Sequence, residues 1–325
     1  MIHSGKPILI FLVILMLIAS QVFAVDTTID FSQLQKITES FSEEMLHVLP
    51  FSSTIGLNWS DAYIGSFPHF GIGISAGAVM MDYEKIKNML EYLKVLKVDY
   101  TTFALDMFLL PAYSFDARIG LPVIPVDFGV KFGYLPPKLL SSYLRAEIKN
   151  TLIGADVRYV IVNSKVLPMR LSVGLGFNYL NGEVSKEFTD NINFTGGGIN
   201  FKADKPTVGV IWKTTNIELK MQASFPYKIL TPYAGAGFSI SLSETGYRIS
   251  ASNLSINAEE EKMKRFGVTK VELGKFEAIT KGKPMNTRVF GGLSFNLVYA
   301  RLDLTGMYEF FGGNFGATLG LRFQM

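Results

Sequence analysis

The last forty residues constrain the fold more than any other part of the chain. From Asn286 they run NTRVFGGLSFNLVYARLDLTGMYEFFGGNFGATLGLRFQM, which reads as three consecutive strands joined by short turns. Val298, Ala300, Leu302, Leu304, Gly306, Tyr308 and Phe310 alternate with Tyr299, Arg301, Asp303, Thr305, Met307 and Glu309. A period of two marks a strand with two unlike faces. The final strand repeats the scheme, with Phe315, Ala317, Leu319, Leu321 and Phe323 against Gly316, Thr318, Gly320, Arg322 and Gln324. A soluble sheet of such strands would hide its apolar face yet keep two open edges, whereas a closed sheet in lipid needs an apolar outside, a polar inside and no edge. The pattern predicts an all-β, antiparallel transmembrane barrel.

The same end carries a second signature. Thr318, Gly320, Phe323 and Met325 stand where the assembly signal of bacterial outer-membrane β-barrel proteins has a polar residue, a glycine, an aromatic and a terminal hydrophobic residue. The chain resembles that class, departing from it in Met325, where Phe is usual. The resemblance implies insertion by the barrel-assembly machinery into the outer membrane of a double-membraned bacterium, among outer-membrane lipid and lipopolysaccharide or its equivalent. Many unrelated barrels share the signal, so it bears on location and leaves the task open.

The other end agrees with export. Lys6, the apolar run 8–19 and the residues up to Ala24 form the three parts of a secretory signal peptide, 1–24, with cleavage expected after Ala24. That run is shorter than the roughly 20 apolar residues a spanning helix needs, and no later run approaches it. The absence of cysteine excludes a lipid-anchored lipoprotein, disulfides, thiol catalysis and thiolate metal sites. With 31 basic and 28 acidic residues the chain is near neutrality and lacks the clustered basic stripe that a nucleic-acid partner requires.

An amphipathic segment, 25–52, precedes the barrel. Asp30 and Gln33 form a capping pair, and Phe31, Leu34, Ile37, Phe41, Met45 and Val48 follow at helical spacing as far as Pro50. Such a helix either lies on the periplasmic membrane surface or plugs the barrel. The barrel is expected over 53–325, starting with a strand at TIGLNWSDAYIG. Eleven strands can be read in all. Bacterial barrels favour even numbers, so about 12 strands are expected, within a range of about 10–14 allowed by the length. Tight turns near 66, 121, 164, 227 and 296 mark a periplasmic rim, and long connections starting near 82, 136, 182 and 244 an extracellular one. Apolar stripes at helical spacing in 86–96 and 139–148, and a cap formed by Asn257 and Glu260, predict short helices over the outer mouth.

The chemistry on offer is sparse. His47 and His69 fall on the N-terminal helix and beside a periplasmic turn, and no hydrolase, metalloprotease or phosphate-loop motif is present. The chain is read as a non-enzyme with no cofactor and no metal. Inward charges are the better clue. The strand registers aim Asp116, Asp127, Asp156, Glu218, Asp303 and Glu309 into the lumen together with Arg118, Lys131, Arg158, Arg170, Lys220, Arg288, Arg301 and Arg322. Mixed signs fit either a filled lumen of paired charges or a wet, weakly selective channel. An N-terminal plug and apolar helices over the mouth are similar in architecture to the long-chain fatty-acid uptake barrels, although the chain is shorter than those transporters and lacks their Asn-Pro-Ala start. That resemblance implies passive uptake of small solutes, hydrophobic ones included, and transfers no binding residue. The alternative is a non-conducting surface barrel whose long extracellular loops bind a partner.

Overall fold

The computed structural model describes residues 44–80, 109–135, 147–163, 168–187, 191–196, 199–257, 270–272 and 274–325. A short helix, α1 (44–53), opens the described chain. Strands follow in order as β1 (Phe70–Met80), β2 (Leu109–Gly120), β3 (Val126–Leu135), β4 (Glu147–Asn163), β5 (Arg170–Glu187), β6 (Ile192–Gly196), β7 (Ile199–Ala203) and β8 (Thr207–Ser224). The remainder are β9 (Leu230–Ser250), β10 (Leu254–Asn257), β11 (Lys270–Glu272), β12 (Lys275–Gly282), β13 (Met285–Leu297), β14 (Ala300–Glu309) and β15 (Phe315–Gln324).

Ten of these strands close a ring in the order β1-β2-β3-β4-β5-β8-β9-β13-β14-β15, and β15 returns to β1 along a seam from Gly71↔Gln324 to Met80↔Phe315. Every pairing is antiparallel and each wall strand has a neighbour on both sides, so the ring has no edge strand, although β2 pairs with β3 only over Phe115–Gly120. Strand length is uneven. β4, β5, β8 and β9 hold 17, 18, 18 and 21 residues, against 10 in each of β3, β14 and β15. The wall is therefore taller on one side, at the rim away from the C-terminus. There β9 pairs first with β13 and then with β12, and the Ser241 amide donates to the Pro284 carbonyl at the break between them. Pro284 has no N–H to offer the ladder, which accounts for the interruption. The pieces β6, β7 and β10 form a separate three-stranded sheet.

The apolar positions of the sequence lie outward. Ile72, Ile74, Phe115, Phe132, Ile153, Leu175, Leu219, Ile240, Leu304, Leu319 and Phe323 are all exposed around the circumference. Val298 and Tyr299 make the two-residue turn of the last hairpin but one, at the rim that also holds the C-terminus.

The expected twelve strands are corrected to ten, which lies within the 10–14 range. The segment TIGLNWSDAYIG is no strand: residues 54–64 run through the inside of the ring, and the wall begins at Phe70 rather than at residue 53. The other ten strands read from the sequence coincide with the ten of the ring, which removes the problem of parity. The long connections prove to be partly wall, because β5 continues to Glu187, β8 starts at Thr207 and β9 reaches Ser250. Asn257 ends β10 instead of capping a helix, and Ile148 lies on β4. Residues 1–43, the stripe at 86–96, most of that at 139–148 and Glu260 lie outside the described residues.

Candidate functional site

Residues 44–64 fill the lumen. Met45, Val48, Leu49 and Phe51 of α1, and then Ile55, Leu57, Trp59, Ala62, Tyr63 and Ile64, are buried inside the ring. The helix sits toward the tall rim, where the Asn286 amide donates to the His47 carbonyl at 2.9 Å. The extended part then descends, and residues 65–69 turn into β1 at the opposite rim. That lower rim carries the short turns, which outer-membrane barrels turn toward the periplasm.

An extended chain without strand partners needs every backbone group satisfied from elsewhere. The wall supplies them. Lys131 donates to the carbonyls of Ser53 (2.7 Å) and Ile55 (2.6 Å), and Arg118 and Lys220 each approach that of Leu57 at 3.4 Å. Gln222 holds the Trp59 carbonyl at 2.6 Å, Arg158 that of Asp61 at 2.7 Å and Arg170 that of Tyr63 at 2.9 Å. Alternate carbonyls from Ser53 to Tyr63 are thus gripped from the wall. The amides look to acceptors: Leu57 N–H donates to Asp116 and Ile64 N–H to Asp127, both at 3.3 Å, and Ala62 N–H to the Ser224 hydroxyl at 3.0 Å. A peptide backbone presents donors and acceptors together, so a wall built to hold one must carry both signs of charge.

The same charges bind one another. Arg118 bridges Asp127 and Asp156, the latter at 2.6 Å; Arg158 reaches Asp127 at 2.8 Å and Lys220 reaches Asp156 at 2.6 Å. Arg288 forks onto Glu218 at 2.6 and 3.1 Å and reaches the Asn58 side chain at 3.1 Å. These groups are buried, and ions out of water persist only when paired and hydrogen-bonded. Trp59 lies between two guanidinium groups, 4.9 Å from Arg322 and 5.7 Å from Arg118 to its ring centroid. Below it, Asp61 is 1% exposed and receives Arg322 at 3.0 Å, Arg301 at 2.6 Å and Arg170 at 3.4 Å. Arg322 is shared with Asp303 at 2.7 Å.

A closed sheet with charge inside and apolar side chains outside matches a bilayer and not water. The chain is a transmembrane β-barrel protein. No protein-family model matches the barrel protein's sequence, and no curated protein matches it. Several solved structures are similar to it at low identity and low TM-score. The outer membrane protease OmpT of Escherichia coli is 11% identical over 82% of this chain and 100% of its own, with a TM-score of 0.39. A major outer membrane protein of Thermus thermophilus is 11% identical over 79% of this chain and 99% of its own, at 0.33. The Ralstonia pickettii toluene transporter TbuX is 7% identical over 80% of this chain and 90% of its own, at 0.27.

Of the charges aimed inward by the sequence, the structure brings all but Glu309 into contact with the plug or into the ion network. Glu309 instead organises the turn to β15, accepting from the amides of Phe311 (2.8 Å) and Gly312 (2.7 Å) and from Asn314 (3.1 Å). In the assembly signal, Thr318 and Gly320 lie inward, while Phe323 and Met325 are exposed at the lower rim. His69 is exposed and bonded through Nδ1 to the Ser66 carbonyl at 2.6 Å, far along the chain from His47 on α1. Asp61, Trp59 and Asn58 were missed as site residues because their segment passes for a strand. Asp61 was the available signal: in that strand it would share a face with Ile55, Leu57, Trp59 and Tyr63, and so would point a carboxylate at lipid.

Proposed function

We propose that the barrel is an outer-membrane channel for passive uptake of small solutes, held closed by residues 44–64. One observation carries this reading: the filling belongs to a tethered segment outside the wall ladder, gripped through its backbone by side chains that would otherwise line an open lumen. The lining it covers is charged along its length, which favours polar solutes over the hydrophobic ones that the helical stripes suggested.

The test is single-channel conductance in a planar bilayer, comparing the mature chain with a form lacking residues 25–64. Conductance steps that appear on deletion support a closed channel. Silence from both forms, each shown to be folded, defeats it. The second reading, a non-conducting surface barrel, then takes over; the wall extensions of β4, β5, β8 and β9 and the small sheet of β6, β7 and β10 favour it by offering a raised surface for a partner.

A further inference from the structure

Three arginines from separate strands converge on one carboxylate at the periplasmic mouth. Arg170 opens β5, Arg301 is second in β14 and Arg322 lies directly across from Arg301 on β15. All three meet Asp61, a residue of the plug and not of the wall. Among the described residues, Arg170 and Arg301 form no other ion pair, and Arg322 has only Asp303 besides. Two of the three also reach water: the side chains of Arg170 and Arg301 are 33% and 21% exposed, whereas that of Asp61 is 1% exposed. If the plug leaves, three guanidinium groups remain facing a single wall carboxylate, a surplus of two positive charges.

We propose that Arg170, Arg301 and Arg322 form an oxyanion-binding site, occupied by Asp61 when the barrel is closed and by a carboxylate- or phosphate-bearing solute in transit. This rests on the gated-channel reading and deepens it by naming the solute class. Guanidinium forks match the planar oxygens of carboxylates and phosphates, so the contacts made by Asp61 are the contacts such a solute would make. An anion arriving at the mouth competes with Asp61 for the same donors, so binding of solute and release of the plug's lower end are one exchange.

The test separates binding from flux. Full-length Asp61→Ala barrel is folded in detergent, and its melting temperature is followed against acetate and against inorganic phosphate, each at matched ionic strength with chloride as reference. A rise of several degrees is expected in Asp61→Ala, none in the wild type, where Asp61 holds the site, and none in Asp61→Ala combined with Arg301→Gln. A response to acetate alone assigns the site to carboxylates, and one to phosphate alone to phosphate-bearing solutes. Indifference of Asp61→Ala to both anions overturns the proposal, as does an equal rise in all three proteins. Asp61→Asn, which keeps the side chain's shape, serves if Asp61→Ala does not fold. Silent bilayer recordings would remove the channel reading while leaving this binding measurement to stand or fall by itself.

Discussion

Replacing Trp59 with alanine should open the barrel without loosening its wall. The indole is 3% exposed, lies between Arg322 and Arg118 and abuts β1 at Gly71, where even a Cβ would come within 2.9 Å of the ring. Truncating a buried aromatic to alanine costs about 3–5 kcal/mol. The two cation–π contacts fall within that figure rather than adding to it, because both guanidinium groups keep their carboxylates. Trp59 belongs to no strand, so the cost falls on seating of the plug. At about 1.4 kcal/mol per factor of ten, the ratio of open to closed barrels should rise about 140- to 3,700-fold. Single-channel recording at fixed voltage reads that ratio, and heat-modified mobility in gels checks that the wall is intact. Trp59→Phe, which retains a ring, should give a smaller rise. An unchanged open fraction in a folded Trp59→Ala barrel would refute the idea that the plug is an independently seated element.

Three further substitutions probe other parts of the scheme. Gly56 has a φ of +81°, and a Cβ there would lie 2.3 Å from the Ser114 hydroxyl and 2.8 Å from Asp116. Gly56→Ala should therefore unseat the plug by at least the roughly 1–2 kcal/mol of a left-handed L-residue, seen as a rise in open fraction of about fivefold or more. Leu304, on the outer face of β14, is 54% exposed, and Leu304→Arg should destabilise the barrel in bilayers by about 2–4 kcal/mol if it lies near the midplane; an equal urea midpoint for both proteins in lipid would contradict a lipid-facing wall there. Glu309→Ala removes the acceptor of three turn hydrogen bonds and should cost about 1–3 kcal/mol, read as a lower urea midpoint and faster proteolysis within 310–314, with conductance unaltered.

The wall was legible because its signal is repeated. Each strand states the same alternation, from Phe70 and Ile72 at one end of the sequence to Leu321 and Phe323 at the other, and burial against lipid on one face leaves no second register that satisfies it. The plug's helix could be read as one of two alternatives, but its extended part was not legible, for the complementary reason. TIGLNWSDAYIG also alternates, since a chain packed between opposite walls of a narrow lumen is extended and sees two different surroundings. Only Asp61 breaks the lipid-facing series, and a single carboxylate is a weak signal against five apolar or small neighbours. The inward charges could be listed from the strand registers, but their partners could not. Lys131 and Arg158 grip carbonyls of the plug, and a backbone carbonyl has no letter in the sequence. The strand extensions of β5, β8 and β9 escaped because polar residues break the outward apolar series there, Asn181 and Glu183 on β5, Lys213 and Thr215 on β8 and Glu244 on β9.

The five residues 65–69 that join plug to wall sit at the lower rim, and that placement sets the kinetics of any gate built from this plug. A displaced plug cannot diffuse away: a short tether keeps it near its seat at an effective concentration of about millimolar. Reclosing is then a first-order event that does not depend on how much protein the membrane holds. The open time would be a property of the single molecule, set by how quickly a leashed segment finds its row of wall cations again.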